Sequence, residues 1–400
     1  MKPRVGELGA SAYVSGPVMR FSEKYMMFRR VMWDSPDLAR RLYFTPKHPK
    51  ADKPGYTLLD MAFRNATWDL ERDFGMGNRS GNAMLTAWER PTKGEFAPPQ
   101  GLKLESPDPA AMSLAVKKVA RFAGASLVGI AALDMRWVYS HSYIPAIKNP
   151  FLGAAIPDEE LTNGQERAIE IDPAFKWAIV IAVEMDYRVS KYSPTYLSGA
   201  GAGLGYSKMP FYAALVAQFI RGLGYRAIPQ GNDTSLAVPL AIDAGLGELG
   251  RNGLLITPRF GPRVRLAKVF TDLPLAPDKP LDMGVWEFCR ACKKCAKHCP
   301  SQSIPHGEPS EDIHNVSNRP GLYRWAVNGE TCIAFWEKNN SASCLNCIRV
   351  CPFNKPDGWM HDAVRWGIRR FPVANRLFVW GDDVFGYSRR GNPARYWERP

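Results

Sequence analysis

The sequence predicts an α+β protein of two unlike parts: an α/β domain over residues 106–272 and a cysteine-built module over residues 273–356. Three observations predict it. Apolar strand-like runs alternate with helix-period segments from Pro109 to Phe270. All eight cysteines fall between Cys289 and Cys351, in two runs. The proline-punctuated stretch DLPLAPDKPLD, from Asp272 to Asp282, separates the two patterns.

Residues 1–105 are rich in Pro and aromatics with few long periodic segments, and are expected to be irregular and to pack on the core. Ser106 or Asp108 can cap a helix that starts at Pro109, and Gly124 suits its end. LVGIAALD (127–134) and Trp177–Val183 read as buried strands. A helix is expected from about Lys208 to Leu223, with Pro210 in its first turn and Gly222 and Gly224 closing it. GLLITP (253–258) and VRLAKVF (264–270) read as further strands. Residues 357–400 are basic and aromatic without a clear period, and are expected to wrap back over the core.

The cysteine runs carry the most specific chemistry. Cys289, Cys292, Cys295 and Cys299, followed by Pro300, match C-x2-C-x2-C-x3-C-P in full. Cys332, Cys344, Cys347 and Cys351, followed by Pro352, end the same way with the first cysteine displaced upstream. Three cysteines two residues apart wrap one [4Fe–4S] cube, and the fourth of the run ligates the other cluster. The expected sets are therefore Cys289, Cys292, Cys295 and Cys351 for cluster one, and Cys299, Cys332, Cys344 and Cys347 for cluster two. The insertion IAFWEKNNSAS between Cys332 and Cys344 is expected to be a loop. The module is thus bacterial ferredoxin-like. Four disulfides belong to short secreted scaffolds rather than to 400 residues with one late cysteine group. Zinc sites use C-x2-C pairs but do not call for the third cysteine and the C-P ending twice.

Composition narrows the rest. The formal net charge is +13, from 52 basic and 39 acidic residues, but the Lys and Arg are scattered, which fits a solvated surface better than a nucleic-acid stripe. The longest apolar run, AIVIAV at 178–183, is far short of the roughly 20 residues of a membrane span. The N-terminus, MKPRVGELGASAYV, lacks the apolar stretch of an export signal. Gly245, Gly247 and Gly250 fit G-x-G-x-x-G, yet they lead into a strand, and the region about 20 residues on is basic (Arg263, Arg265, Lys268). A tight glycine turn, or close backbone approach to a cofactor other than a dinucleotide, is the expectation there.

GLGYSKM (203–209), FIRGLGYRAIPQGND (219–233) and AGLGELGRNGLLITPRFGPRVRLAKVFTDLPL (244–275), followed by the cysteine module, stand in an order that resembles the corrinoid-dependent reductive dehalogenases of organohalide-respiring bacteria. The resemblance covers roughly residues 110–356. It implies a nitroreductase-like core around a buried, base-off corrinoid, fed by two [4Fe–4S] clusters. It also implies that a small chlorinated alkene or alkane is reduced by Co(I), the chain serving as terminal reductase of anaerobic respiration. By the same resemblance Tyr206 looks like the proton donor, Arg265 the cation beside it and Asn232 a polar partner at the substrate. A phenol is a weak acid at neutral pH, and a guanidinium beside it stabilises the phenolate left behind. Corrinoid contacts are expected at Ser207, Lys208, Met209, Gly231 and Gly247. Electrons are expected to pass from cluster two, nearer the surface, to cluster one and then to cobalt.

The cobalt-ligating D-x-H-x-x-G motif is absent; Asp312-Ile-His314 begins like it, but Ser317 stands at the glycine position. The resemblance further implies a Tat-type signal ahead of residue 1, a peripheral place on the outer face of the cytoplasmic membrane, a small integral membrane anchor, electrons from the quinone pool or a membrane complex, no nucleic-acid partner and a possible homodimer. Epoxyqueuosine reductase, a tRNA-modifying enzyme with a similar corrinoid core and cluster pair, is the nearest alternative. A plain ferredoxin-like carrier is another, and the large α/β part argues against it.

Overall fold

The computed structural model describes residues 9–71, 85–89, 101–148 and 155–398. The N-terminal region is more regular than its composition implies. It holds α1 (Met27–Asp34) and α2 (Leu58–Leu70). In α2 the Thr57 side chain accepts from the Asp60 amide and the Asp60 carboxylate accepts from the Thr57 amide, a reciprocal cap that starts the helix. Helix α3 (Pro109–Phe122) begins as expected, with the Asp108 carboxylate accepting from the amides of Ala110 and Ala111.

Four strands make the central sheet: β1 (Leu127–Ala132), β4 (Trp177–Glu184), β5 (Ala227–Gln230) and β8 (Val264–Thr271), in the order β1-β4-β8-β5 with every pair antiparallel. Strands β2 (His141–Ile144) and β3 (Gln165–Ala168) form a separate ribbon. The period of two along a strand sorts the sheet's faces. Ile179, Ile181, Val183, Ala267 and Val269 face α3 and the long α4 (Tyr196–Gly222). Ala178, Val180, Ala182, Leu266 and Phe270 face a second core containing Leu240 and Ile242 of α5 (Ala237–Asp243), Trp286 and Trp325. Both faces are covered, which explains why β4 reads as a continuous apolar run rather than an alternating one.

Helix α4 starts twelve residues earlier than the sequence implies, and Pro210 lies inside it. Its first half contains Gly199, Gly201, Gly203 and Gly205, residues that favour turns by propensity. Packing overrides that preference. A Cβ on Gly203 would sit 2.5 Å from the Trp68 ring of α2, and one on Gly199 would sit 2.6 Å from the Ala342 carbonyl oxygen. The small residues let α2 and the second cysteine run lie directly against the helix. The glycine fingerprint at 245–250 is a structural turn, as expected. It leads into β6 (Glu248–Leu249), which pairs with β7 (Leu255–Ile256), and a Cβ on Gly247 would meet the Ile256 carbonyl oxygen at 2.1 Å.

The cysteine module is built on α6 (Val285–Cys292), α7 (Gly329–Lys338) and α8 (Asn346–Arg349). The expected loop between Cys332 and Cys344 is largely helix. Asn328 caps α7, which runs through Lys338 before the chain turns at residues 339–343. The C-terminal segment is helical too, as α9 (Trp359–Arg370) and α10 (Asn375–Val384). Asp382 of α10 docks these helices on the module. Its buried carboxylate accepts from Lys294 and Lys355, both also largely buried. Asp382→Ala leaves two buried ammonium groups without their shared carboxylate, a loss of about 3–5 kcal/mol. The expected result is a clearly lower denaturation midpoint than for Asp383→Ala, whose side chain is 58% exposed. Among the described residues, no helix is long and apolar enough to cross a membrane.

Candidate active site and cluster cages

Tyr206 lies on α4 where that helix meets α2 and β8. The Trp68 ring stacks on the phenol, with centroids 5.2 Å apart and planes 27° off parallel. The Arg265 guanidinium lies over the same ring, 4.9 Å from its centroid. Glycines flank the tyrosine for this reason: Gly203 makes room for Trp68, and Gly205 for the Arg265 stem. The Trp68 indole N–H donates to the Gly199 carbonyl at 3.2 Å, which fixes the ring against α4. Each contact to the phenol contributes on the order of 1 kcal/mol to ordering it.

Strand β8 positions two cations on opposite faces. Arg265 points to α4, and Lys268 points to the turn after β5. The fully buried Lys268 ammonium donates to the carbonyls of Gly231 at 2.7 Å, Asp233 at 3.1 Å and Ser235 at 3.1 Å. The Asp233 carboxylate accepts from the Gly231 amide at 2.8 Å and closes the turn. Asn232 is exposed at its tip, and no hydrogen bond among the described residues joins it to Tyr206 or Arg265. The structure thus brings Tyr206 and Arg265 together directly, and fixes the backbone that carries Asn232.

The expected corrinoid contacts divide. Lys208 is exposed. The Ser207 hydroxyl is taken by α2: it donates to the Thr67 carbonyl at 2.7 Å and accepts from the Glu71 amide at 3.1 Å. Met209 is 1% exposed in the core between α4 and the sheet. The backbone amide and carbonyl of Gly231 are taken by Asp233 and Lys268, and Gly247 by the turn into β6. Two buried polar atoms lack partners among the described residues around this site: Arg265 Nε and Glu71 Oε2. Burial, with the charge of Asp233 added, pushes the Glu71 carboxyl up to about 8.

The eight cysteines are free thiols in two groups. Cys289, Cys292, Cys295 and Cys351 line one small cavity with Arg251, Phe288 and Phe353. In the other group, Cys299, Cys332, Cys344 and Cys347 lie close enough to perturb one another's ionisation. Burial raises Cys289 to about 11 and Cys332 to about 12, so these thiols ionise only when a metal takes the proton's place. Cys299 differs. Burial works against its thiolate, but hydrogen bonds from Ser301 and from backbone amides including that of Ser303 bring it below the usual thiol range. Among the described residues, no three His, Cys, Asp or Glu side chains converge as a single ion requires. Four sulfurs spread round a cavity suit a larger cluster better than one zinc.

The second group is not remote from the core. Cys347 packs on the cluster formed by Met185, Ala202, Leu345 and Ile348, which Trp68 also touches, while Cys289 packs on the core of the opposite sheet face. Ala342, just ahead of Cys344, lies against Gly199 of α4. Trp68, Glu71, Lys268 and Arg251 are additions that spacing alone did not single out. The buried Arg251 guanidinium donates to the Cys289 carbonyl at 3.0 Å and lies 4.5 Å from the Trp325 ring, a fixed positive charge beside the first cysteine group.

A family model described as a 4Fe-4S dicluster domain matches residues 288–355. The tetrachloroethene reductive dehalogenase of Sulfurospirillum multivorans is 35% identical over 364 residues, covering 87% of this chain and 72% of that protein. The tetrachloroethene reductive dehalogenase of Dehalobacter restrictus is 38% identical over 391 residues, covering 86% of this chain and 70% of that protein. A solved reductive dehalogenase, described with a mechanism for B12-dependent dehalogenation, shares the fold with a TM-score of 0.70 at 22% identity over 94% of this chain. The chain spans about half of that solved protein, 48% of its length.

Proposed function

The chain belongs to the reductive dehalogenases, a family of oxidoreductases acting on carbon–halogen bonds, and on that premise we propose that it removes halide from a small chlorinated alkene or alkane with Tyr206 as the proton donor. The observation that carries this reading is the phenol of Tyr206 held by Trp68 and Arg265 on the helix against which the Cys347 group also packs. A base-off corrinoid bound there supplies a strongly reducing cobalt centre, and two [4Fe–4S] clusters supply its electrons. The residues present fit both groups. The unpartnered Arg265 Nε, with exposed Lys208, would hold the amide-bearing rim of a corrinoid. Cys289, Cys292, Cys295 and Cys351 would hold one cluster, and Cys299, Cys332, Cys344 and Cys347 the other.

The chain's own residues supply orientation and a proton. Trp68 fixes the plane of the phenol. Tyr206 donates its proton to carbon as halide departs, and Arg265 stabilises the phenolate that remains. Asn232 orients the substrate. In the same reading the protein is a terminal reductase of anaerobic respiration. It sits peripherally on the outer face of the cytoplasmic membrane, beside a small integral membrane partner, with electrons from the quinone pool or a membrane complex.

The test is an anaerobic chloride-release screen across chlorinated ethenes, alkanes and phenols with a low-potential dye, on protein reconstituted with iron, sulfide and corrinoid. Chloride release from ethenes or alkanes is expected, with one cobalt and the iron of two four-iron clusters per chain. Clusters without bound corrinoid, or no chloride from any compound, would sink the proposal.

A further inference from the structure

Glu71 follows the last turn of α2 and has no place in the mechanism above. It is 6% exposed, and its Oε2 has no hydrogen-bond partner among the described residues. Its amide is tied to the Ser207 hydroxyl at 3.1 Å, next along the chain from Tyr206. Trp68 and Glu71 stand three residues apart, so they are neighbours on one helix face, and Trp68 is the ring stacked on Tyr206. The charge of Asp233, beside Asn232 in the turn that Lys268 holds, reaches the Glu71 carboxyl. A buried acid this near the site, with an uncommitted oxygen, is costly unless it stays protonated.

We propose that Glu71 is the proton reservoir of this site and returns a proton to Tyr206 after each turnover. The inference rests on the reading of Tyr206 as donor. In the chemical step the Tyr206 O–H bond breaks as the new C–H bond forms. The halide leaves with the electron pair of its bond to carbon, and two electrons arrive through the clusters. The Glu71 O–H bond then breaks as the phenol O–H re-forms, and the carboxylate recovers a proton from solvent.

The ionisable groups on the elements around Glu71 are Tyr206 and Lys208 on α4, Asp233 on the turn after β5, and Arg265 and Lys268 on β8. Of these, Asp233 is the charge that acts on the carboxyl, after burial itself, and both hold it in the acid form at neutral pH. The reservoir therefore works at neutral pH and empties as pH rises through about 8.

Two measurements test it. The first is infrared difference spectroscopy of the protein without substrate, wild type against Glu71→Gln. A carboxylic-acid band that disappears in Glu71→Gln and titrates near pH 8 is expected, with the titration shifted down in Asp233→Asn. No such band overturns the proposal. The second compares single and repeated turnovers of pre-reduced holoenzyme. Glu71→Gln should complete its first turnover at the wild-type rate, slow at least tenfold thereafter, and lose the alkaline fall of the wild-type profile. Unchanged steady-state rate and profile, or an equally slowed first turnover, overturns it. A normal first turnover in Tyr206→Phe would instead defeat the reading of Tyr206, an outcome separable from the others.

Discussion

Tyr206→Phe is expected to abolish halide release while iron and cobalt contents stay at the wild-type level. The substitution removes one oxygen and leaves the ring that Trp68 stacks on and Arg265 covers. Packing of α2 on α4 is therefore retained, and with it the Ser207 bonds to Thr67 and Glu71. What is lost is the O–H that delivers the proton, and general acid catalysis is worth about 10²–10⁴ in rate. Arg265→Lys separates the ring contact from the proton. The ammonium keeps the charge but not the flat surface that lies on the phenol. It should slow turnover less than Tyr206→Phe does. Chloride release from Tyr206→Phe at the wild-type rate would remove Tyr206 as the acid.

Cys351→Ala is expected to empty one cluster and stop turnover. Its sulfur lines the same cavity as those of Cys289, Cys292 and Cys295, although it lies more than fifty positions along the chain. Removing it leaves three thiols, raised by burial, that have no other way to ionise. Iron should fall to about half the wild-type content, with one set of cluster signals missing from the electron paramagnetic resonance spectrum and cobalt retained. Cys347→Ala should empty the other cluster. Because Cys347 packs on the cluster that Trp68 also touches, its loss should be as damaging to turnover as that of Cys351. Full iron content in either variant would contradict the pairing.

The elements that were legible in the sequence are those whose pattern is local. The Asp108 cap and Pro109 start α3 through contacts within four residues. The apolar runs of β4 and β8 announce strands because each is covered on both faces. The cysteine spacing announces a cluster module because three ligands of a cube must come from one tight loop. The early start of α4 was hidden because its glycines serve neighbours distant in sequence. Trp68 is more than 130 positions from the Gly203 that makes room for it. Helices α9 and α10 were hidden because several of their large apolar side chains, Trp366 and Trp380 among them, remain exposed rather than buried in a core.

The candidate site divides along the same line. Tyr206, Arg265 and the eight cysteines stand out as residues of the right chemistry in motifs of recognisable order. Trp68, Glu71 and Lys268 carry no motif, because an indole, a carboxylate and an ammonium gain their roles only from what is packed around them. One-dimensional order specifies ligand type and spacing, since bond geometry within a loop is local. Whether Ser207 faces a cofactor or clamps α2, and whether Cys347 sits apart from Tyr206 or beside its neighbours, depends on which small residues let distant segments touch. Close packing between segments far apart in the chain is a property of the folded molecule, and it is what turns Glu71 from one of many surface-type acids into a buried one.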